Sequence, residues 1–169
     1  MSVLPILRYP DAHLRRPCLP VVAPDEAVRR LAADMLESMY AANGRGLAAP
    51  QVGVLRRLFV MDTDWKEGTP APLTCLDPEI LDAADEQHTG PEGCLSIPGV
   101  PALVTRPAWV VLRWRGLDGQ VQTERLTGAA AICAQHELDH LNGRLIIDLM
   151  DEDARLAASP LLVAMGEGA

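Results

Sequence analysis

The chain has 169 residues, 49% of them apolar, and a formal net charge of −8; this length and composition suit one domain with a real core and argue against disorder. The acidic balance argues against a nucleic-acid partner, and the longest apolar runs fall far short of the roughly 20 residues that span a bilayer. Four scattered cysteines, Cys18, Cys75, Cys94 and Cys133, lack the spacing of a disulfide scaffold, and Met1–Arg8 lacks the charged head and apolar stretch of a signal peptide, so the expected compartment is the reducing cytoplasm.

Residues 1–24 carry five prolines and little periodicity, which predicts an extended N-terminal arm. Asp25 reads as an N-cap for a helix in which Val28, Leu31, Ala32, Met35, Leu36 and Met39 keep the i, i+3, i+4 rhythm. Asn43-Gly44 should end it. Gly44-Arg45-Gly46-Leu47-Ala48-Ala49-Pro50-Gln51 follows: either an ordinary Gly-rich turn with a buried Ala pair, or a backbone that something approaches closely. No Gly-Lys-Ser/Thr follows, so it is not a phosphate loop.

Leu58–Met61 and Leu73–Leu76 read as buried strands on either side of a polar loop, 62–70. Residues 82–91 read as a solvated turn region that carries His88 as a surface histidine. Pro98 and Pro101 predict an irregular segment. Trp109–Arg115 alternates, with Val110, Leu112 and Trp114 on one face, and Asp118-Gly119 signals a hairpin turn before Val121–Leu126. Thr127 is a plausible N-cap for a helix over Gly128–Asn142 that stops at Gly143. Arg144–Met150 is a short apolar stretch, and 151–169 reads as a short acidic tail, sparsely ordered. The order implies an α+β fold, a helix laid against mostly antiparallel sheets, in one catalytic domain over 1–169.

The chemistry concentrates in His136-Glu137-Leu138-Asp139-His140. Two histidines four apart on a helix lie about 40° apart around its axis, so both imidazoles can reach one metal ion. Glu137, about 60° round from His140, can act as a base toward water without being a ligand. A catalytic site of this kind usually takes a third protein ligand. No histidine follows the helix, and the only later glutamates, Glu152 and Glu167, lie in the tail. Upstream, Cys94 in Gly93-Cys94-Leu95 is either a small buried hydrophobe or a thiolate that completes a His₂Cys set.

Gly44–Gln51, Glu92–Ser96 and Gln135–Gly143, together with the opening Ile6–Asp11, resemble the peptide deformylase family, in the family's order and over nearly the whole chain. The resemblance implies Cys94, His136 and His140 as ligands of one divalent metal, typically Fe²⁺, for which Zn²⁺, Ni²⁺ or Co²⁺ can substitute. It implies Glu137 as general acid/base, with the Gln51 amide and the Leu95 N–H meeting an oxyanion. The implied reaction removes the formyl group from N-formylated nascent peptides and releases formate.

Helical spacing sets Cys133, Ile132 and Ala129 on the same face as His136, one and two turns earlier; the resemblance implies that this wall holds the substrate's first side chain, usually methionine. Arg45, Gly46, Gly90 and Glu92 are expected around the same pocket. Ala129 stands where the family usually has a larger aliphatic residue, Arg45 where an aliphatic one is usual, Gly90 where a bulkier one is common, and Pro101 where arginine often appears. These departures predict a pocket wider or more polar at its rim; alternatively Arg45 points to solvent while its stem packs. From Asp151 onward the only basic residue is Arg155, so the ribosome docking that some relatives achieve with a basic C-terminal helix is not expected. Competing readings are a zinc peptidase, which lacks its downstream ligand here, a hydrolase of another N-acyl group, and a metal-binding relative without turnover, which would not need Glu137.

Overall fold

The structure, a computed structural model, describes residues 2–167; Met1, Gly168 and Ala169, and the side chains of Pro101 and Glu167, lie outside the described residues. Helix α1 (Glu26–Ala41) starts where the Asp25 carboxylate accepts the Val28 N–H at 2.9 Å. Strands β1 (Gly46–Ala48), β2 (Leu58–Met61), β3 (Leu73–Ala83), β4 (Gln87–Cys94), β5 (Ile97–Pro107), β6 (Trp109–Arg115) and β7 (Val121–Thr127) precede helices α2 (Gly128–Leu141) and α3 (Glu152–Glu167). One sheet has the order β1-β2-β3-β6-β7 and is antiparallel throughout; β4 and β5 form a separate antiparallel hairpin. This is the α+β architecture expected.

Helix α2 sits between these layers. Ala131, Ala134 and Leu141 pack on Phe59, Cys75, Val110, Leu112 and Trp114 of the large sheet. Met35 and Met39 of α1 meet Leu47, Leu58 and Val60 across the same sheet. The β4–β5 hairpin closes a third cluster with Leu145, Ile146 and two residues of α3, Ala158 and Leu162. The alternation read in Trp109–Arg115 is the observed one, with Val110, Leu112 and Trp114 buried.

Three expectations are corrected. Within residues 82–91 only 84–86 form a turn, because β3 runs to Ala83 and β4 begins at Gln87. Their side chains are polar because this end of the hairpin is exposed on both faces, at Gln87, His88 and Thr89 alike; backbone pairing holds the strand, helped by Thr89 and Thr105 hydroxyls 2.8 Å apart. Pro98 and Pro101 do not break the chain either, since both lie within β5. A two-stranded ribbon has free edges and a register shift between Glu92 and Cys94, where a missing N–H is tolerated. The tail is helical over Glu152–Glu167. Asp151 caps it by accepting the Ala154 N–H at 2.7 Å, and burial of Ala158 and Leu162 stabilises a helix whose own pattern is weak. Thr127 does stand at the N-cap of α2, though its side chain makes no capping hydrogen bond.

The N-terminal arm is extended apart from one 3-10 turn, Ala12–Arg15, and it straps the molecule together. Leu7 N–H donates to Gln51 O at 2.7 Å, Tyr9 N–H to Ser96 O at 2.9 Å, and Cys18 N–H to Leu141 O at 2.9 Å. At the end of α2, Gly143 has φ +74°, and a Cβ there would stand 2.6 Å from the Arg15 carbonyl oxygen. Only glycine serves both needs.

Candidate active site

Three parts of the chain meet at one buried point. Helix α2 brings His136 and His140, whose Nε2 atoms are 3.2 Å apart, their rings inclined at 69°. The turn of the β4–β5 hairpin brings Cys94, with Sγ 3.3 Å from His140 Nε2. The donor atoms of the three lie within 4.8 Å of one another, and all three residues are buried. The 3-10 turn after β1, Ala49–Val52, brings Gln51. Its Oε1 accepts the Ala48 N–H at 2.8 Å, which turns its NH₂ toward Ser96 Oγ (3.1 Å) and Cys94 Sγ (3.8 Å).

Behind the histidines lies a buried charge network. His136 Nδ1 is 3.0 Å from Glu92 Oε2, so the carboxylate can hold that nitrogen's proton and leave Nε2 bare toward Cys94 and His140. Arg106 donates to both Glu92 oxygens, at 2.5 and 3.0 Å, and to Asp139 Oδ2 at 2.9 Å. It thereby ties β4 to α2 on either side of the cluster. Burial works against the Glu92 anion, but hydrogen bonds from His136 and Arg106 hold its pKa below the ordinary carboxylate value.

The donor set fits a divalent cation. A proton between two imidazole nitrogens can satisfy one contact, whereas a thiolate and two Nε2 lone pairs aimed at one point match a soft-to-borderline metal. The titration of these groups carries the same strain. Burial opposes charge on His136, yet hydrogen bonds to Cys94 and Glu92 raise its pKa to about 10, while burial and then the His136 charge push His140 well below its usual value.

Glu137 points to the other side of the cluster. It is 3% exposed, burial raises its carboxyl pKa to about 7, and its Oε2 has no hydrogen-bond partner among the described residues. Its Oε1 lies against Gly46, where a Cβ would come within 2.2 Å of it. Gly44 similarly makes room for Leu95, whose Cδ1 a Cβ would meet at 2.8 Å. The close-approach reading of Gly44–Gln51 is therefore the right one.

A cleft of about 1190 Å³ opens over this point. Arg45, Gly46, Gln51, Glu92, Cys94, Leu95, Ala129, Ile132, Cys133, His136 and Glu137 all line it. Gly90 does not. It shares the strand face of Glu92 and Cys94 but lies further along β4, beyond the cleft, where a Cβ would stand 3.0 Å from His88 Nε2. His88 itself is exposed, as expected. Pro101 lies in β5, its side chain outside the described residues. Three residues of the site had no individual signal in the sequence. Ser96 receives the Gln51 amide, and Arg106 and Asp139 complete the network; a buried arginine 33 positions from its partner carboxylate cannot be paired by local spacing.

A buried Cys-His-His cluster that could hold a metal ion, beside a carboxylate whose Oε2 is unpartnered among the described residues, at the floor of a cleft in an α+β fold, has the make-up of a metal-dependent hydrolase site. The polypeptide deformylase family model matches residues 3–155. A peptide deformylase of Alkalilimnicola ehrlichii is 47% identical over 152 residues, covering 90% of this chain and 84% of that protein. The peptide deformylase structure from Legionella pneumophila superposes with a TM-score of 0.90 at 35% identity, covering 98% and 96% of the two chains. That from Synechococcus elongatus, in complex with actinonin, gives 0.90 at 37% identity, covering 98% and 89%. The chain belongs to the polypeptide deformylase family.

Proposed function

We propose that this chain, acting as one catalytic domain over 1–169, removes the N-formyl group from formyl-methionyl peptides of new proteins through Cys94, His136 and His140 as metal ligands, with Glu137, Gln51 and Leu95 as catalytic groups. The observation that carries the proposal is the convergence of three donors within 4.8 Å beside the buried Glu137 carboxylate, whose Oε2 has no hydrogen-bond partner among the described residues. When bound, the metal makes a water nucleophilic near neutral pH. Fe²⁺ is the ion we assign, with Zn²⁺, Ni²⁺ or Co²⁺ able to substitute, and the Cys94 thiolate then makes the site sensitive to O₂ and peroxide.

Glu137 takes the proton of the attacking water and returns it to the leaving amine; a carboxyl with a pKa near 7 is suited to both directions. The formyl oxygen, as it gains charge, faces the Gln51 side-chain amide and the Leu95 N–H. Gln51 is held for this by the Ala48 N–H at one end and Ser96 at the other. Ala129, Ile132 and Cys133 form the wall for the first side chain, and the Arg45–Gly46 backbone lies against Cys133, whose Sγ is 3.5 Å from Arg45 O. Glu92 acts from behind, on His136.

The substrate is the formylated nascent peptide, with no nucleic acid partner and no docking of the ribosome through α3, in keeping with the net charge of −8. No helix among the described residues is long and apolar enough to cross a membrane. The four free cysteines support work in the reducing cytoplasm. Formate release from formyl-Met-Ala-Ser under anaerobic, iron-loaded conditions tests the proposal: steady turnover is expected, and none at full metal occupancy would sink it.

A further inference from the structure

The cleft is larger than a small-molecule pocket, about 1190 Å³ against a usual ceiling of about 1,000 Å³, so several peptide residues fit beyond the formylated one. Its charged lining is sorted by depth. Glu92 and Glu137 are buried at the floor, at 8% and 3% exposure. Around the mouth, the charged lining residues among those described are all cations: Arg8 from the arm, Arg45 ahead of β1, and Lys66 from the loop after β2. This is a positive rim on a chain of net charge −8.

The rim is built rather than incidental. Lys66 Nζ donates to Asn43 O at 2.6 Å and Trp65 Nε1 to Gly44 O at 2.8 Å, which pins the 62–70 loop against the entrance to β1. Arg45 forms an ion pair with Glu67 of that loop. The pair is solvent-exposed, at 40% and 67%, so it is weak and open to exchange. Arg45 Nε is buried and has no partner among the described residues. The cleft lining therefore carries Arg8 and Lys66, and an Arg45 held only by an exposed pair with Glu67.

Resting on the deformylase reading above, we propose that this mouth selects formylated peptides with a carboxylate side chain at the second or third residue, which displaces Glu67 from Arg45 and faces Lys66. The test compares C-terminally amidated formyl-Met-Ala-Ser, formyl-Met-Asp-Ser, formyl-Met-Ala-Glu and formyl-Met-Lys-Ser on the iron-loaded enzyme. At low ionic strength the acidic peptides should show kcat/KM about two- to fivefold above the lysine peptide, mostly through KM. Added salt should shrink the ratio toward one. Glu67→Gln should widen it and Lys66→Glu should invert it.

Equal kcat/KM across the panel, or a preference that survives both salt and Lys66→Glu, would overturn the proposal. A gain seen only with the free-acid form of formyl-Met-Ala-Ser would assign the rim to a chain terminus and also overturn it. No turnover of formyl-Met-Ala-Ser amide with full metal occupancy would remove the deformylase reading itself, a result distinct from turnover without preference.

Discussion

Gly46 shows how little room the site leaves. Its missing side chain is the space that the Glu137 carboxylate and the Cys133 thiol occupy: a Cβ at this position would fall 2.2 Å from Oε1 and 2.7 Å from Sγ. Neither neighbour is a free-swinging end, because both sit on α2 and are packed below the cleft. Gly46→Ala should therefore move the carboxylate by a fraction of an ångström to an ångström. We expect kcat to fall about 10²-fold with metal content retained, measured by steady-state formate release and metal analysis on the same sample. Glu137→Gln should cost about 10²–10⁴-fold and likewise leave the metal in place, because the carboxylate is not among the three donors. In the metal-free protein Glu137 also sets a pH dependence. Burial raises its folded pKa to about 7, above the unfolded value near 4.5. Stability from this group is thus complete below the unfolded pKa and is lost as pH rises through about 7.

At the scale of elements, the hairpin β4–β5 and helix α2 must keep their relative position for Cys94 to meet the histidines. Arg106 is the residue that spans them, 6% exposed and bonded to Glu92 on one side and Asp139 on the other. Arg106→Ala would leave two carboxylates without their cation in a buried site. The expected loss is about 3–5 kcal/mol, read as a drop in Tm of roughly 10 °C, together with weaker metal retention. Helix α3 contributes differently. Leu162 is 9% exposed against the third cluster, so Leu162→Ala should lower stability by about 2 kcal/mol in chemical denaturation and leave kcat unchanged. This helix was hard to read because Leu156, Leu161 and Val163 face outward at 73%, 52% and 55% exposure. Apolar residues scattered over both faces give no clean stripe, and Pro160 lies inside the element. By contrast α1 and β6 bury the faces that their spacing indicates, and both were legible.

Over the whole molecule, the arm joins distant parts that no single element could hold. It bonds to Gln51, Ser96 and Leu141, and Arg15 pairs with Asp148 just ahead of α3. Burial opposes the Asp148 anion, but Arg15 and the Leu145 N–H outweigh it and keep its pKa below the usual 3.8. That stabilisation is complete above the unfolded value and is lost as pH falls through the lower folded pKa. Asp148→Asn should lower the melting temperature at neutral pH and narrow its difference from wild type as the pH drops below about 4, followed by thermal melts across the acid range.

The sequence by itself determined the chemistry of α2. One helical turn aligns His136 with His140 and sets Glu137 to one side, because four residues and 3.6 per turn leave no other arrangement. It also determined α1 and β6, whose buried faces follow from local periodicity. Cys94 and Gln51, 42 and 85 positions from His136 and on other elements, were indicated only by the motif resemblance, not by spacing, and the tertiary structure brings them to the same point. Tertiary structure decided that Arg106 bridges Glu92 to Asp139, that Gly90 lies beside His88 beyond the cleft, and that Arg8, Arg45 and Lys66 line one cleft. The reason is physical: spacing along a helix or strand fixes directions within that element, whereas contacts between elements depend on how buried faces, bulges and the strapping arm pack them together.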